Sequence, residues 1–107
     1  MKVLEYTGTN GKSPFQKWFN SLDAQTAAKI VSAVSRLEQG NLSNAKTVGS
    51  GVMEYRLDWG PGLRVYFGRD GELLIILLAG GTKRRQNRDI QEAIANWSDY
   101  KLRKGQA

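Results

Sequence analysis

The chain has 107 residues, with 16 Lys or Arg against 10 Asp or Glu, a net charge of +6, and neither cysteine nor histidine. A chain of this length is expected to form one domain, residues 1–107, whose core needs no disulfide or structural metal. The composition excludes disulfide frameworks, thiolate chemistry, the usual zinc ligands and the usual general base. No apolar run exceeds seven residues, and the start lacks a signal-peptide pattern, so we expect a cytoplasmic protein without a membrane span.

The N-terminal part of the chain predicts a strand followed by two helices. Residues 2–7 are typical of a short strand, and Ser13 followed by Pro14 is typical of a helix cap and first turn. Asp23 is a second cap, for a helix that reaches Gln39. Each helix carries an apolar stripe, made of Phe15, Trp18, Phe19 and Leu22 in the first and of Ala27, Ile30, Val31, Val34 and Leu37 in the second.

Three strands are predicted to follow a polar, glycine-bearing loop over residues 41–51. Apolar residues alternate with polar ones from Met53 to Trp59 and again from Leu63 to Phe67, which is the period of a half-buried strand. Residues 73–79 are apolar throughout, as in a central strand that is covered on both faces. Short turns join the three strands, so the pattern predicts an antiparallel meander.

The alternation also predicts the register of the first hairpin. Odd-numbered residues are apolar in both strands, so odd must face odd if one face is to be the core. A three-residue loop over residues 60–62 preserves this parity and would place Asp58 opposite Arg64, and Arg56 opposite Tyr66. The second face of the sheet would then present a polar, basic and partly aromatic surface that carries Glu54, Arg56, Asp58, Arg64 and Tyr66.

The C-terminal part predicts one helix over residues 84–104, with Ile90, Ala93, Ile94 and Trp97 as its apolar stripe. The element order is therefore β-α-α-β-β-β-α. We expect an α+β fold: a small twisted antiparallel sheet, with the N-terminal helical hairpin on one face. The last helix is expected near an edge, which would leave the second face partly open.

Seven Lys or Arg against three acids lie between Lys83 and Lys104. A basic stripe of this kind suits a polyanion, an acidic protein partner, or both. It is equally typical of a helix whose basic face is simply solvated, and charge alone leaves these alternatives open.

Four motifs in order resemble the RelE/ParE superfamily of toxins from bacterial type II toxin–antitoxin modules. They are S-P-F-x-x-W-F from Ser13, E-x-R-L from Glu54, G-P-G-x-R-V-Y-F from Gly60 and G-G-x-K-x-x-Q-x-x-D-I from Gly80. The chain is most similar to the HigB-like branch, the addiction-module killer proteins. This resemblance implies a RelE-like fold, in agreement with the order of elements above.

The resemblance also implies an activity and a set of residues. Ribosome-dependent members of the superfamily cleave messenger RNA in the ribosomal A site. By motif position, Arg64 becomes the clamp on the scissile phosphate, and Arg56 with Lys83 or Arg84 becomes a further phosphate contact. Lys46, Arg85 and Arg88 are assigned to RNA binding. The chain departs from RelE-type members at Glu54, where they carry a lysine, and at Ile90, where they carry a tyrosine.

This residue set is compatible with metal-independent RNA cleavage, because RNA supplies its own nucleophile in the 2′-hydroxyl. Arginine and lysine suit stabilisation of the extra charge on phosphorus. Tyr66, Glu54 and Asp89 are the candidates for proton transfer, and their order is left open. Tyr66 has an alternative role in stacking an RNA base. Arg64 and Asp58 have the plainer alternative of a cross-strand ion pair.

We therefore expect the toxin of a type II toxin–antitoxin module, an mRNA endoribonuclease that blocks translation on the ribosome. The expected partners are the ribosome, mRNA and an adjacent antitoxin that contains a helix-turn-helix domain. No cofactor, metal or membrane is expected to take part. Two alternatives remain: a ParE-like inhibitor of DNA gyrase, and a basic binding module without catalysis.

Overall fold

The computed structural model describes residues 1–105, which form a five-stranded sheet with helices on both faces. This arrangement confirms the predicted α+β class. Among the described residues, no helix is long and apolar enough to cross a membrane. The elements are β1 (Lys2–Glu5), α1 (Pro14–Asn20), α2 (Ala24–Glu38), β2 (Ala45–Gly49), β3 (Val52–Leu57), β4 (Leu63–Asp70), β5 (Leu74–Thr82), a 3₁₀ turn (Lys83–Arg85) and α3 (Gln86–Gly105).

The strands lie in the order β1-β5-β4-β3-β2. The pairs β3–β4 and β4–β5 are antiparallel, so the predicted meander is confirmed. β1 adds to the far side of β5 in parallel orientation, from Lys2 opposite Leu74 to Glu5 opposite Leu77. The sheet is thus antiparallel except for this one pairing.

The two N-terminal helices begin where their capping residues predict. The Ser13 Oγ accepts a hydrogen bond from the Gln16 amide at 3.0 Å, and the Asp23 Oδ1 accepts one from the Thr26 amide at 2.8 Å. Both bonds satisfy backbone donors that a first helical turn leaves unpaired. The helices cover the odd-numbered face of the meander, as predicted, in a core that includes Phe15, Ile30, Leu37, Tyr55, Leu63, Val65 and Phe67.

The expected loop over residues 41–51 is wrong in part, because it contains the edge strand β2. β2 pairs antiparallel with β3, and its register shifts between Thr47 and Gly49. Lys46 and Thr47 remain exposed in it. An edge strand that is polar and irregular lacks the apolar alternation by which the other strands are recognised.

The first hairpin keeps the predicted parity but not the predicted partners. Its loop runs over residues 58–62 and has five residues instead of three, because Trp59 leaves the strand and packs against the core on the α1/α2 face. The Trp59 amide donates to the Leu57 carbonyl at 2.9 Å, and the Gly62 amide donates to the Trp59 carbonyl at 3.1 Å. The observed register pairs Leu57 with Leu63, Arg56 with Arg64 and Glu54 with Tyr66.

The second face of the sheet is not open where α3 crosses it, contrary to expectation. α3 packs over β5, β4 and β3, and it buries a second core that includes Tyr66, Ile76, Leu78, Ala93 and Trp97. The continuous apolar sequence of β5 is explained by this cover, since its side chains alternate between the two cores.

Gly68 on β4 makes the close approach of α3 possible. A Cβ atom at this position would lie 2.5 Å from the Cε3 atom of Trp97, whose side chain is buried. We expect Gly68→Ala to lower the free energy of unfolding by about 1–3 kcal/mol through overpacking. Urea unfolding monitored by circular dichroism measures this loss. Gly105→Ala is the control, because a Cβ there meets no atom within 4 Å, and equal midpoints for both variants would contradict the prediction.

Candidate functional site

Two arginines from neighbouring strands meet at one buried carboxylate. Glu54 on β3 has no exposed surface. The Arg56 Nε lies 3.0 Å from the Glu54 Oε1, and the Arg64 Nε on β4 lies 3.6 Å from the Glu54 Oε2. Arg56 and Arg64 are direct cross-strand partners, so both guanidinium groups approach from the same face of the sheet.

The first turn of α3 covers this cluster. The Gln86 Nε2 donates to the Glu54 Oε2 at 2.8 Å. The Arg64 Nη1 donates to the Gly62 carbonyl at 2.8 Å, and only 4% of Arg64 is exposed. The Arg56 side chain remains 46% exposed. The cluster is thus an ion triad with one buried and one accessible guanidinium group.

Most of the polar surface that the sequence predicts on this face is buried. Glu54, Arg64 and Tyr66 were expected on a solvent-open face, and all three are buried. The expected pairing of Asp58 with Arg64 is also wrong, since Asp58 lies in the hairpin loop and Glu54 takes its place. The observed register differs from the predicted one by two residues along β3, which brings the two arginines opposite each other.

Tyr66 belongs to the second core, where it is completely buried. Burial raises the pKa of its hydroxyl, and the nearby charge of Glu54 raises that pKa further. The phenol therefore stays protonated at neutral pH, and its ring has no face that an RNA base can reach in this arrangement. The alternative role of Tyr66 in base stacking is not compatible with this burial.

Asp89 lies in the first turn of α3, against the backbone of β5. Its carboxyl group occupies the space that a side chain at Gly81 would need, and 7% of Asp89 is exposed. Burial raises the pKa of this carboxyl above its usual range, and Glu92 adds to the effect, while Arg85 and Arg88 oppose it. Gly81 is the β5 partner of Arg64, so Asp89 sits beside the ion triad.

The cations that follow β5 form an exposed basic rim next to the triad. The Lys83 amide donates to the Gly62 carbonyl at 2.9 Å, which ties this segment to the β3–β4 loop. A shallow cleft of about 440 Å³ is lined by the segment from Lys83 to Arg88. All four cations assigned to this segment from the sequence are exposed: Lys83, Arg84, Arg85 and Arg88.

Lys46 is exposed on β2, as the cross-strand partner of Glu54. It therefore lies on the opposite side of β3 from Arg64. The structure thus gathers Arg56, Arg64 and Glu54 at one point, with Asp89, the basic rim and Lys46 around it.

Sequence reasoning missed the role of Gln86. It is the polar residue of α3 that closes over Glu54, and the only sign of it was its fixed place in the G-G-x-K-x-x-Q motif. Gly81, in the same motif, provides room for the Asp89 carboxyl group.

Comparison with known proteins identifies relatives of this chain. The sequence model of the family described as "Phage derived protein Gp49-like (DUF891)" matches residues 17–97. An uncharacterized protein of Haemophilus influenzae is 40% identical over 80 residues, which span 74% of this chain and 81% of that protein. The matched family segment includes the ion triad, the basic rim and Asp89.

We expect Asp89→Asn to stabilise the protein at neutral pH but not in acid. Because the pKa of Asp89 is raised in the folded state, its contribution to stability is complete below the unfolded pKa of about 3.9 and is lost as the pH rises through the folded pKa. An asparagine keeps the neutral form at every pH. Thermal unfolding of both proteins across this range measures the difference in Tm, and a difference that does not grow with pH would contradict the prediction.

Proposed function

The chain belongs to the Gp49-like family of phage-derived proteins, a family associated with toxins of toxin–antitoxin modules, and we propose that it is an mRNA endoribonuclease that acts on the ribosome. The observation that carries this proposal is the convergence of Arg56 and Arg64 on one carboxylate. Guanidinium groups bind carboxylate and phosphate oxygens through the same planar arrangement of donors. A scissile phosphodiester fits the place that Glu54 now fills.

For a phosphate to bind at this point, it must replace the Glu54 carboxylate as the partner of the two guanidinium groups. Arg56 is the accessible member and makes the first contact. Arg64 has donor capacity in reserve, since its Nε forms no hydrogen bond with any residue from 1 to 105. When the Glu54 carboxylate and Gln86 move aside, both guanidinium groups face the phosphate, and Lys83 with Arg84 adds charge from the rim.

The reaction follows from the chemistry of RNA. The 2′-oxygen loses its proton and attacks phosphorus, the bond to the 5′-oxygen breaks, and that oxygen takes a proton from water, so the products are a 2′,3′-cyclic phosphate and a 5′-hydroxyl. Asp89 is the candidate that accepts the 2′-hydroxyl proton, because a carboxyl with a raised pKa is a stronger base. Glu54, by contrast, is already held by two guanidinium groups. The arginines stabilise the charge that develops on phosphorus.

A toxin of this kind has an antitoxin as its partner. The net charge of +6 and the basic rim suit an inhibitor that presents acidic side chains to this surface. We propose a small protein with a helix-turn-helix domain for this role. Assignment to the RelE/ParE superfamily, in its HigB-like branch, rests on the motifs from Glu54 to Ile90.

We expect Arg56→Ala to lower the rate of transcript cleavage by about 10²- to 10³-fold, as the loss of one charge-stabilising donor does. Folding should persist, because the Arg56 side chain is 46% exposed and the Glu54 carboxylate keeps Arg64 and Gln86 as partners. Incubation with translating ribosomes, followed by mapping of transcript ends, measures the rate. Arg69→Ala is the control, since Arg69 is an exposed arginine at the other end of β4.

The transcript assay, run beside an assay for trapped gyrase–DNA complexes, distinguishes the rival activities. Intact transcripts together with trapped gyrase–DNA complexes would replace the nuclease with a gyrase inhibitor. A wild-type protein that leaves both targets unchanged and only binds an acidic partner would be a non-catalytic module.

We expect Glu54→Gln to tighten the binding of an RNA whose 2′-hydroxyls are methylated and which therefore cannot be cleaved. The amide keeps the shape of the side chain but releases two guanidinium groups from their internal counter-ion. The dependence of log K on log salt should steepen by about 0.7 for each further phosphate that the variant binds. Fluorescence anisotropy measures both quantities. Glu72→Gln removes the same charge at the exposed β4–β5 turn, and equally tightened binding there would contradict a specific role for Glu54.

A further inference from the structure

A second basic groove begins where the ion triad ends. It has a volume of about 500 Å³ and lies between α2, the residue before β2 and the β3–β4 loop. Arg56 belongs to both places, because its Nε contacts Glu54 while its side chain also lines the groove. The groove is lined by the cations Lys29, Arg36 and Arg56, by the acid Asp58, and by Ser32, Asn44 and Trp59.

Two of the three cations of this groove, Lys29 and Arg36, lack a salt-bridge partner among residues 1–105. Arg36 is exposed, and its Nη1 lies 3.4 Å from the Tyr55 hydroxyl. Lys29 is exposed and its Nζ lies 5.8 Å from the centre of the Trp59 ring. Asp58 is the acidic residue of the lining, against three cations.

Fixed backbone contacts connect the groove to the candidate site. The Arg56 amide donates to the Asn44 carbonyl at 3.2 Å, so the start of β2 is joined to β3 at this point. Arg56 thus connects the ion triad with the groove that reaches the exposed residues Lys29 and Arg36 of α2. A polymer with regularly spaced negative charges matches such a continuous path better than a single anion does.

The chemistry of the groove favours single-stranded RNA over an acidic peptide. Cations that follow a phosphate backbone, combined with an aromatic ring beside the path, are the usual elements of single-strand binding. Trp59 provides the ring, and Asn44 and Ser32 provide neutral polar groups. An acidic peptide would contact the cations of the groove but would not need the aromatic ring.

We propose that this groove binds the RNA strand next to the scissile phosphate, with Lys29 and Arg36 on successive phosphates. The inference rests on the proposed nuclease function and adds a strand-binding subsite to it. Its consequence is that affinity grows with RNA length, because only a strand that extends beyond the ion triad reaches Lys29 and Arg36.

The test compares two uncleavable 2′-O-methyl oligonucleotides, of about three and about ten nucleotides, by fluorescence anisotropy. The wild-type protein should bind the longer one more tightly. The double variant Lys29→Ala/Arg36→Ala should lose this length advantage, and its salt slope for the longer oligonucleotide should be smaller by about 1.4, the value for two phosphates.

The matched control is Lys101→Ala/Arg69→Ala, which removes one lysine and one arginine at exposed positions outside the groove. It should keep the length advantage. Equal losses in both double variants, or no length advantage in the wild type, would overturn the groove. So would an acidic peptide that binds as tightly as the long RNA and loses affinity in the same variant.

Transcript cleavage by the wild type separates the two proposals. Cleavage without a length advantage would support the nuclease proposal and overturn only the groove proposal. If the wild type neither cleaves transcripts nor binds either oligonucleotide, both proposals are overturned.

Discussion

The structure around the candidate site depends on the buried carboxylate of Glu54. A desolvated charge must be compensated by partners with good geometry, and here these come from three elements: Arg56 on β3, Arg64 on β4 and Gln86 on α3. Their shared dependence on one side chain fixes the start of α3 above the sheet. The same contacts neutralise the arginines that the proposed chemistry uses, so stability and RNA binding compete for the same groups.

The two faces of the sheet meet their helices through different kinds of contact. On the α1/α2 face, the sheet meets the helices mainly through apolar side chains, with one polar contact of 3.4 Å from the Arg36 Nη1 to the Tyr55 hydroxyl. On the α3 face, apolar contact is concentrated near Trp97, while the first turn of the helix rests on Glu54 and the Gly81 backbone. Polar contacts under one end of a helix require less apolar surface to be exposed when that end moves. The end of α3 that lies over the ion triad is therefore the end with less apolar contact.

The fold was largely predictable from the sequence because parity and capping are local. The alternation from Met53 to Phe67 identified the core face, and Ser13 and Asp23 located the helix starts. The length of the hairpin loop was not predictable, since it depends on where Trp59 finds room against the α1/α2 core. β2 was missed for a related reason: it is held by backbone pairing with β3, and its sequence is nearly free of apolar pattern. The candidate site residues were assigned by motif, but their burial was not predictable, because the exposure of Arg64 depends on the path of α3, which Gly68 and Trp97 set from a distance.

The parallel pairing of β1 has a consequence for biosynthesis. Lys2–Glu5 forms its hydrogen bonds with residues 74–77, in a strand more than half the chain away, so β1 cannot pair until β5 has been synthesised. The α1/α2 hairpin and the meander are built from neighbours in sequence and can assemble as they emerge. β1 therefore stays unpaired while α1, α2 and the strands up to β4 are synthesised.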